Sequence, residues 1–414
     1  MRSDVIVLGA GIVGVSTALH LQARGVSVAL VDRRGPGEET SFGNAGVIET
    51  SALYPVAFPR DLSTLIRVGL KRAPQANYSW FTLPSLAPWL WAYFRNSTAA
   101  GVEKTARALF PLVRASLAEH EPLLAAAGTE PLLRRNGWMR IYRSDEPFEA
   151  ETGELALADE LGVPYRVLDT DGARGLEPHL APVFRHGVWW PGTASVTDPG
   201  AVVASYARLF ATRGGTVAVG DAATLARVDG LWRIETSAGS VGADRVVAAL
   251  GPWTSEVLGP RGIRLPLAVK RGYHIHYRPR GNAGLARPIV DVDGGYALAP
   301  MARGLRLTTG VEFSGLRDPA SPAQIARTRP YLDELFPEND GPVDDRPWVG
   351  ARPTLPDSLP VIGPSPGDPS LWLAFGHQHL GFTLGPVTGR LVAEMMTGAE
   401  PLTDPTPFRA GRFA

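Results

Sequence analysis

The chain has 414 residues, 44% of them apolar, and lysine plus arginine equal aspartate plus glutamate at 41 each. That balance excludes a global attraction to nucleic acid or anionic lipid, and the length predicts two domains, interleaved in sequence. The absence of cysteine excludes disulfides, thiolate zinc sites, iron–sulfur clusters and cysteine nucleophiles.

"MRSDVIVLGAG" runs straight into a predicted strand. It lacks the charged leader, apolar core and small-residue cleavage site of an exported chain, so the expected location is the cytoplasm. In "DVIVLGAGIVGVSTALHLQARGVSVALVD", Val5–Leu8 reads as a buried strand and Ile12–Arg24 as a helix ended by Gly25. Val26–Val31 reads as a second strand that reaches Asp32. Gly9, Gly11 and Gly14 form a G-x-G-x-x-G between the two strands. Gly9 permits the tight turn, Gly11 the approach of a pyrophosphate, and Gly14 the packing of helix on strand. Ile12 and Val13 open the helix, whose N-terminus offers partial positive charge to the phosphates. Asp32, eighteen residues after Gly14, can accept hydrogen bonds from ribose hydroxyls, with Arg33 next to it. The fingerprint fits NAD or FAD. A phosphorylated ribose fits least, because Asp32 would repel it.

No regular βαβ succession follows. A small-residue loop, "ETSFGNAGVIETS", leads to a helix-rich region from about Ser79 to Ala127. The longest uncharged stretch, Ala73 to Phe94, contains Pro74, Pro84 and Pro88, which argues against a spanning helix. Next come a strand "GWMRIYR", an acidic helix near Phe148–Leu161, and a helix from Pro199 to Thr212. A meander of short strands ends in Arg245–Leu250. "LAVKRGYHIHYRP", "GGYALAPM" and "LRLTTGVEF" read as strands of a second, antiparallel sheet. A helix Pro322–Leu335, the strand "LWLAFG" and a last helix ending at Thr397 complete the chain. His274 and His276 alternate onto one strand face and, with His377 and His379, make two H-x-H pairs. No carboxylate accompanies either pair, and no metal is expected.

The ordered set GAGIVG with Asp32, "TSFGNAG", "VVAALGPW", "GARPTLPDSLPVIG" and "GHQHLGFTLGPVTG" resembles the FAD-dependent D-amino-acid oxidase/dehydrogenase family. It is most similar to the small-subunit-like D-amino-acid dehydrogenases, with glycine and sarcosine oxidases more distant, and the likeness spans nearly the whole chain, including "WLWAYFRNSTAAGVEK". The resemblance implies an α/β fold, α+β overall. A Rossmann-like, glutathione-reductase-type FAD domain would occupy 1–75, 195–265 and 345–400. An inserted substrate domain, 76–194 and 266–344, would be built on an antiparallel sheet plus helices, with 401–414 as a C-terminal tail. It further implies non-covalent FAD and hydride transfer to flavin N5 from Cα of a D-amino acid, or of a D-imino acid such as D-proline or hydroxy-D-proline. The imine would hydrolyse to a 2-oxo acid and ammonia. The expected electron acceptor is a quinone or other carrier rather than oxygen, and peripheral contact with the inner face of the membrane and an oligomeric state are compatible. No nucleic acid is expected as a partner. The other readings are a glycine/sarcosine-type oxidase, an NAD-dependent dehydrogenase, a flavin-binding subunit of a larger complex, and a histidine-cluster metalloprotein.

By resemblance, Arg352 binds the substrate carboxylate, for which its planar fork is suited. The alternative is a structural ion pair with Asp345 or Asp357. Tyr296 resembles the family tyrosine that bonds the same carboxylate, Tyr273 is a further candidate for that wall, and His379 is a specificity candidate. Lys270 lies either near the flavin edge or on a solvated sheet face. No catalytic base is implied. Ser41 to Val47 resemble the segment that passes the flavin phosphates and covers the isoalloxazine ring. Thr40 or Ser41 would bind phosphate or ribose, and Asn44, Ala45 and Gly46 would allow close backbone approach; a turn-capping role is the alternative. Gly251 and Trp253 belong to a second dinucleotide contact, with an adenine contact near Ala223 or Thr224. Gly376, His377, Leu380, Gly381, Phe382 and Thr383 form a sharp turn into a helix whose N–H groups face the flavin pyrimidine. Trp80, Trp89, Trp91, Tyr93 and Phe94 either pack the helical insert or touch membrane or quinone.

Overall fold

The computed structural model describes residues 1–413. Its first sheet has eight strands, and Arg2–Leu8 lies at the centre between Val28–Asp32 and Gly239–Ala248, parallel to both. Thr216–Val219 extends it beyond Val28–Asp32, and Asp368–Phe375 runs parallel to the far half of Gly239–Ala248. Val5–Leu8, Leu30 and Val246–Ala248 are fully buried, as strands covered on both faces require. The strand predicted at Arg245–Leu250 begins earlier, at Gly239. Its first half forms an antiparallel hairpin with Leu231–Thr236, and only its second half is continuously apolar.

The first helix, Ile12–Gln22, ends two residues short of the predicted Arg24, and Gly25 adopts a left-handed φ of 77°. It packs against the final helix, Gly381–Thr397, at very close range. A Cβ on Gly385 would lie 2.6 Å from Ile12 Cγ1, and one on Gly389 would lie 2.6 Å from the backbone of Ser16 and Thr17. Two glycines one helical turn apart thus create the groove that receives the first helix.

The second sheet has eleven strands around the long strand Ala268–Pro279. It is mixed rather than antiparallel throughout, because Ile289–Asp291 runs parallel to Trp138–Tyr142 and Val311–Phe313 runs parallel to Ala76–Tyr78. Trp348–Thr354 falls in the segment expected for the FAD domain, yet it pairs with Ala268–His274 in this sheet. A three-stranded sheet of Val47–Ile48, Ala194–Val196 and Leu133–Arg134 ties the small-residue loop to the insert. The acidic helix is two helices, Asp145–Glu149 and Thr152–Leu161. The C-terminal segment packs on the body: Phe408 is buried, and Arg412 binds Asp357 at 2.6 Å and the Leu359 carbonyl at 2.8 Å. Among the described residues no helix is long and apolar enough to cross a membrane.

Gly389→Val should lower stability by about 1–3 kcal/mol through overpacking against Ser16 and Thr17, read as a lower urea midpoint. An unchanged midpoint would show that the two helices do not need this groove.

Candidate active site

A cavity of about 1610 Å³ runs from the glycine turn to the faces of the second sheet and is lined by residues of both sheets. At its dinucleotide end Gly9 has φ 98°, and a Cβ there would strike the Ala249 carbonyl at 2.4 Å. A Cβ on Gly14 would lie 1.8 Å from the Gly9 carbonyl, so this turn excludes side chains at both positions. Gly11 differs, because a Cβ there would meet only Ser41 Oγ, at 3.3 Å. Its bareness serves whatever passes in the cavity rather than the protein's own packing. Asp32 faces the same end. Its two carboxylate oxygens accept from the Ala10 and Arg34 N–H groups at 2.6 and 2.9 Å, and burial pushes its carboxyl upward. The Arg33 guanidinium stacks 4.3 Å from the Trp253 ring centre, and Asp221–Ala223 complete this wall. Gly251, with φ 53°, carries the chain past it.

The loop after Thr40 is fastened to both sheets. Ser41 Oγ accepts from the Ile12 N–H at 3.0 Å, occupying one donor of the helix N-terminus, and Thr40 donates to the Ala351 carbonyl. Asn44 accepts from the Gly46 N–H at 2.7 Å, and the buried Arg306 holds the Phe42 and Asn44 carbonyls. Ala45 and Val47 line the cavity. Thr383 Oγ1 donates to the Val47 carbonyl and accepts from the Glu49 N–H, each at 3.1 Å. Its hydroxyl therefore staples the loop to the final helix. Phe382 lines the cavity through its position in the chain, while its ring stacks on His120 in the core. Gly376 turns with φ 89°, and His377 Nε2 bonds Thr388 Oγ1 at 3.0 Å. Burial drives His377 down to about 3, so this histidine is a neutral brace. Leu380 and Gly381 follow at the helix start and line the cavity. The turn is held by a pair that pattern reading missed: Gln378 and Ser358 both have positive φ, 53° and 64°, and Gln378 donates to the Ser358 carbonyl at 2.6 Å.

Cross-strand register decides which side chains share the cavity. Lys270 pairs with Arg352, Gly272 with Gly350, and His274 with Trp348, so these residues occupy one face of the sheet. Arg352 donates to the Gly310 and Thr309 carbonyls at 2.7 and 3.0 Å and, among the described residues, has no carboxylate partner. The ion pair with Asp345 or Asp357 does not form, since Asp357 is taken by Arg412. A side chain on Gly272 would collide with the guanidinium at 2.4 Å. Burial brings Arg352 down to about 10, which leaves it charged at neutral pH. Lys270 is not solvated. It is 4% exposed, with its ammonium 3.9 Å from the Tyr93 ring centre and within 6 Å of Trp89 and Phe313. Burial, aided by the charge of Arg352, brings it down to about 7. Burial likewise drives His379 down to about 3, and Arg352, Lys270 and Arg140 add to the effect.

Tyr273 and Tyr296 also contribute to the cavity lining, but they alternate onto the sheet face opposite Lys270 and Arg352. The Tyr273 hydroxyl bonds Glu312, Arg271 and the Ser321 N–H, which satisfies it fully. Tyr296 pairs with Thr309, packs with Ile289, Leu298 and Leu307, and has its hydroxyl beside the Asp291–Arg143 ion pair. The histidines do not converge. His274 Nδ1 meets the Gly43 carbonyl, His276 bonds Asp344 at 2.7 Å, His377 bonds Thr388, and His379 feels the charges of Arg352 and Lys270. The aromatic stretch divides: Trp89 and Tyr93 are interior, whereas Trp80, Phe81 and Trp91 are exposed.

The bare turn, Asp32 and the long cavity fit a dinucleotide with a further ring system. Fold and site define a dinucleotide-dependent enzyme. The comparisons agree. The family model described as DAO, FAD dependent oxidoreductase, matches residues 4–395. A D-amino-acid oxidase of Bradyrhizobium diazoefficiens is 33% identical over 99% of this chain and 98% of its own, and a D-amino acid dehydrogenase of the same organism is 31% identical over 99% of both. The crystal structure of glycine oxidase from Geobacillus kaustophilus superposes with a TM-score of 0.76 at 22% identity, covering 100% of this chain and 99% of that one. The chain belongs to the DAO family of FAD-dependent oxidoreductases.

Gly11→Val should fold, since only the Ser41 hydroxyl must yield, and should purify without flavin. Near-native circular dichroism with no flavin absorbance is the expected result; a fully flavinated variant would remove the pyrophosphate from this turn.

Proposed function

We propose that the protein is an FAD-dependent D-amino-acid dehydrogenase, converting a D-amino or D-imino acid to its imine and thence to a 2-oxo acid. The observation that carries this reading is the Arg352 guanidinium, deep in the cavity, held by two carbonyls and unmatched by any carboxylate. The names of the relatives support the substrate class. When bound, FAD supplies the hydride acceptor.

The chain's own contribution is orientation and electrostatics. Thr309 and Gly310 fix the plane of Arg352, so its fork holds a carboxylate in one orientation. Lys270, brought down to about 7, adds a second positive charge on the same face when protonated, while its aromatic cage excludes water. The neutral His379 puts no like charge against the substrate's ammonium and shapes the pocket beside Arg352. Gly381 starts the final helix at the cavity wall, and its free N–H groups favour negative charge on the ring system that accepts the hydride.

The acceptor in this reading is a quinone or similar carrier, reached by peripheral attachment to the membrane. Supporting it, Leu62, Ile66, Leu70, Trp80, Phe81 and Trp91 are more than half exposed, with Arg67, Lys71 and Arg72 in the same segment.

Anaerobic flavin bleaching against D-, L- and N-methyl amino acids should respond to the D-series. Arg352→Ala should keep its flavin but lower kcat/KM by at least about 100-fold, a loss of about 3 kcal/mol, chiefly through KM; normal kinetics would place the carboxylate elsewhere. The substrate-reduced flavin should be reoxidised by a soluble ubiquinone analogue far faster than by oxygen. Peroxide formation at the turnover rate would make the enzyme an oxidase.

A further inference from the structure

At the wall opposite Arg352 the cavity changes sign. Arg140 binds Glu154 at 2.6 Å and Glu151 at 2.8 Å, and Glu49 lies 3.9 Å away, beyond hydrogen-bonding reach. Glu49, Arg140 and Glu154 line the same cavity as Arg352 and Lys270. Among the described residues no donor reaches the Glu49 carboxylate, although its side chain is only 12% exposed. Its backbone is fixed, because its N–H is donated to Thr383 at the start of the final helix. A deep carboxylate with no donor is costly unless something enters the cavity to match it. Burial pushes Glu49 up to about 7 against the pull of Arg140, and Glu154 adds to the rise. Three carboxylates around one guanidinium leave room for one more positive charge.

The cavity is thus polarised. Arg352 and Lys270, both without carboxylate partners, form one end, and Glu49 with its neighbours forms the other, with His379 feeling the charges of Arg352, Lys270 and Arg140. Three strands separate Trp138–Tyr142, which carries Arg140, from Ala268–Pro279, which carries Lys270. At roughly 4.8 Å per step that is about 19 Å along the sheet, shortened by the long side chains that reach inward. The α-nitrogen is only two bonds from the carboxylate carbon, so with the carboxylate on Arg352 it is the substrate side chain that extends along the cavity toward Glu49.

We propose that Glu49, backed by the Arg140–Glu154 pair, is the specificity-determining residue of this enzyme and selects substrates whose side chain ends in a cationic nitrogen. This rests on the D-amino-acid reading above. The side chains that fit are those of basic amino acids, with the ammonium or guanidinium donating to the Glu49 carboxylate. The Glu49 carboxylate, only loosely paired with Arg140 in the free protein, gains a close partner in an enclosed ion pair.

The test compares D-lysine with D-norleucine, which has a similar chain without the charge, in the holoenzyme and in Glu49→Gln. The ratio of kcat/KM, lysine over norleucine, should favour D-lysine in the wild type and fall by about tenfold or more in Glu49→Gln, through KM. Calorimetric titration of the oxidised holoprotein with ε-aminocaproate and caproate, which lack the α-amine and cannot react, should show the same preference and its loss. An equal fall for both substrates, or a wild type indifferent to the terminal charge in both assays, overturns the proposal. If D-norleucine bleaches the flavin but D-lysine is no better, the specificity assignment alone fails. If neither D-isomer bleaches it, the D-amino-acid reading fails.

Discussion

Everything at the site depends on how closely the first and last helices approach. Gly385 and Gly389 remove the side chains that would hold them apart, and Ile12 and Ser16 occupy the space. That contact sets two helix N-termini, at Gly11 and Gly381, on one cavity. Both open onto the cavity, with the glycine turn beside one and the Gly376 turn beside the other. Thr383 carries the constraint onward, because its hydroxyl bonds both Val47 and Glu49. The cofactor loop and the start of the substrate wall are therefore registered to the same helix.

The second sheet supplies charge where the first supplies shape. Its register brings Lys270 and Arg352 side by side with no acid between them, and it puts Arg140 among its carboxylates several strands away. Leaving cations unpaired inside a protein is unfavourable, as the lowered Lys270 and Arg352 values show. The structure tolerates this by giving Arg352 two carbonyls and Lys270 an aromatic cage, which orient both groups without neutralising them. Electrostatic preorganisation of this kind holds a bound anion with little rearrangement.

Much of the dinucleotide half was legible in the sequence, because its signals are local. A glycine turn between two apolar runs, with an acid at the end of the second, carries its own geometry. Arg352 stood out through its motif, and the fold puts it on the cavity lining. The tyrosines were not, because residues on a strand alternate and the parity of Tyr296 relative to Arg352 passes through three strand pairings. Glu49 and Arg140 lie far apart in sequence and acquire meaning only when the loop and the strand Trp138–Tyr142 meet. The cage around Lys270 comes from Trp89 and Tyr93 on a helix whose aromatics read equally well as core or as surface.

The glycine groove also has a consequence for the order in which the molecule assembles. On the ribosome Ile12 and Ser16 are made long before Gly385 and Gly389, and the central strand Arg2–Leu8 is made long before its partner Gly239–Ala248. Throughout that interval the nascent chain carries an unmatched apolar helix face and a strand with one edge unpaired, the surfaces that holdase chaperones bind. The part of the pocket lining formed by Gly381, Phe382 and Thr383 is missing until the final helix docks. The complete pocket is therefore among the last features of the fold to form, because its lining joins the two ends of the sequence.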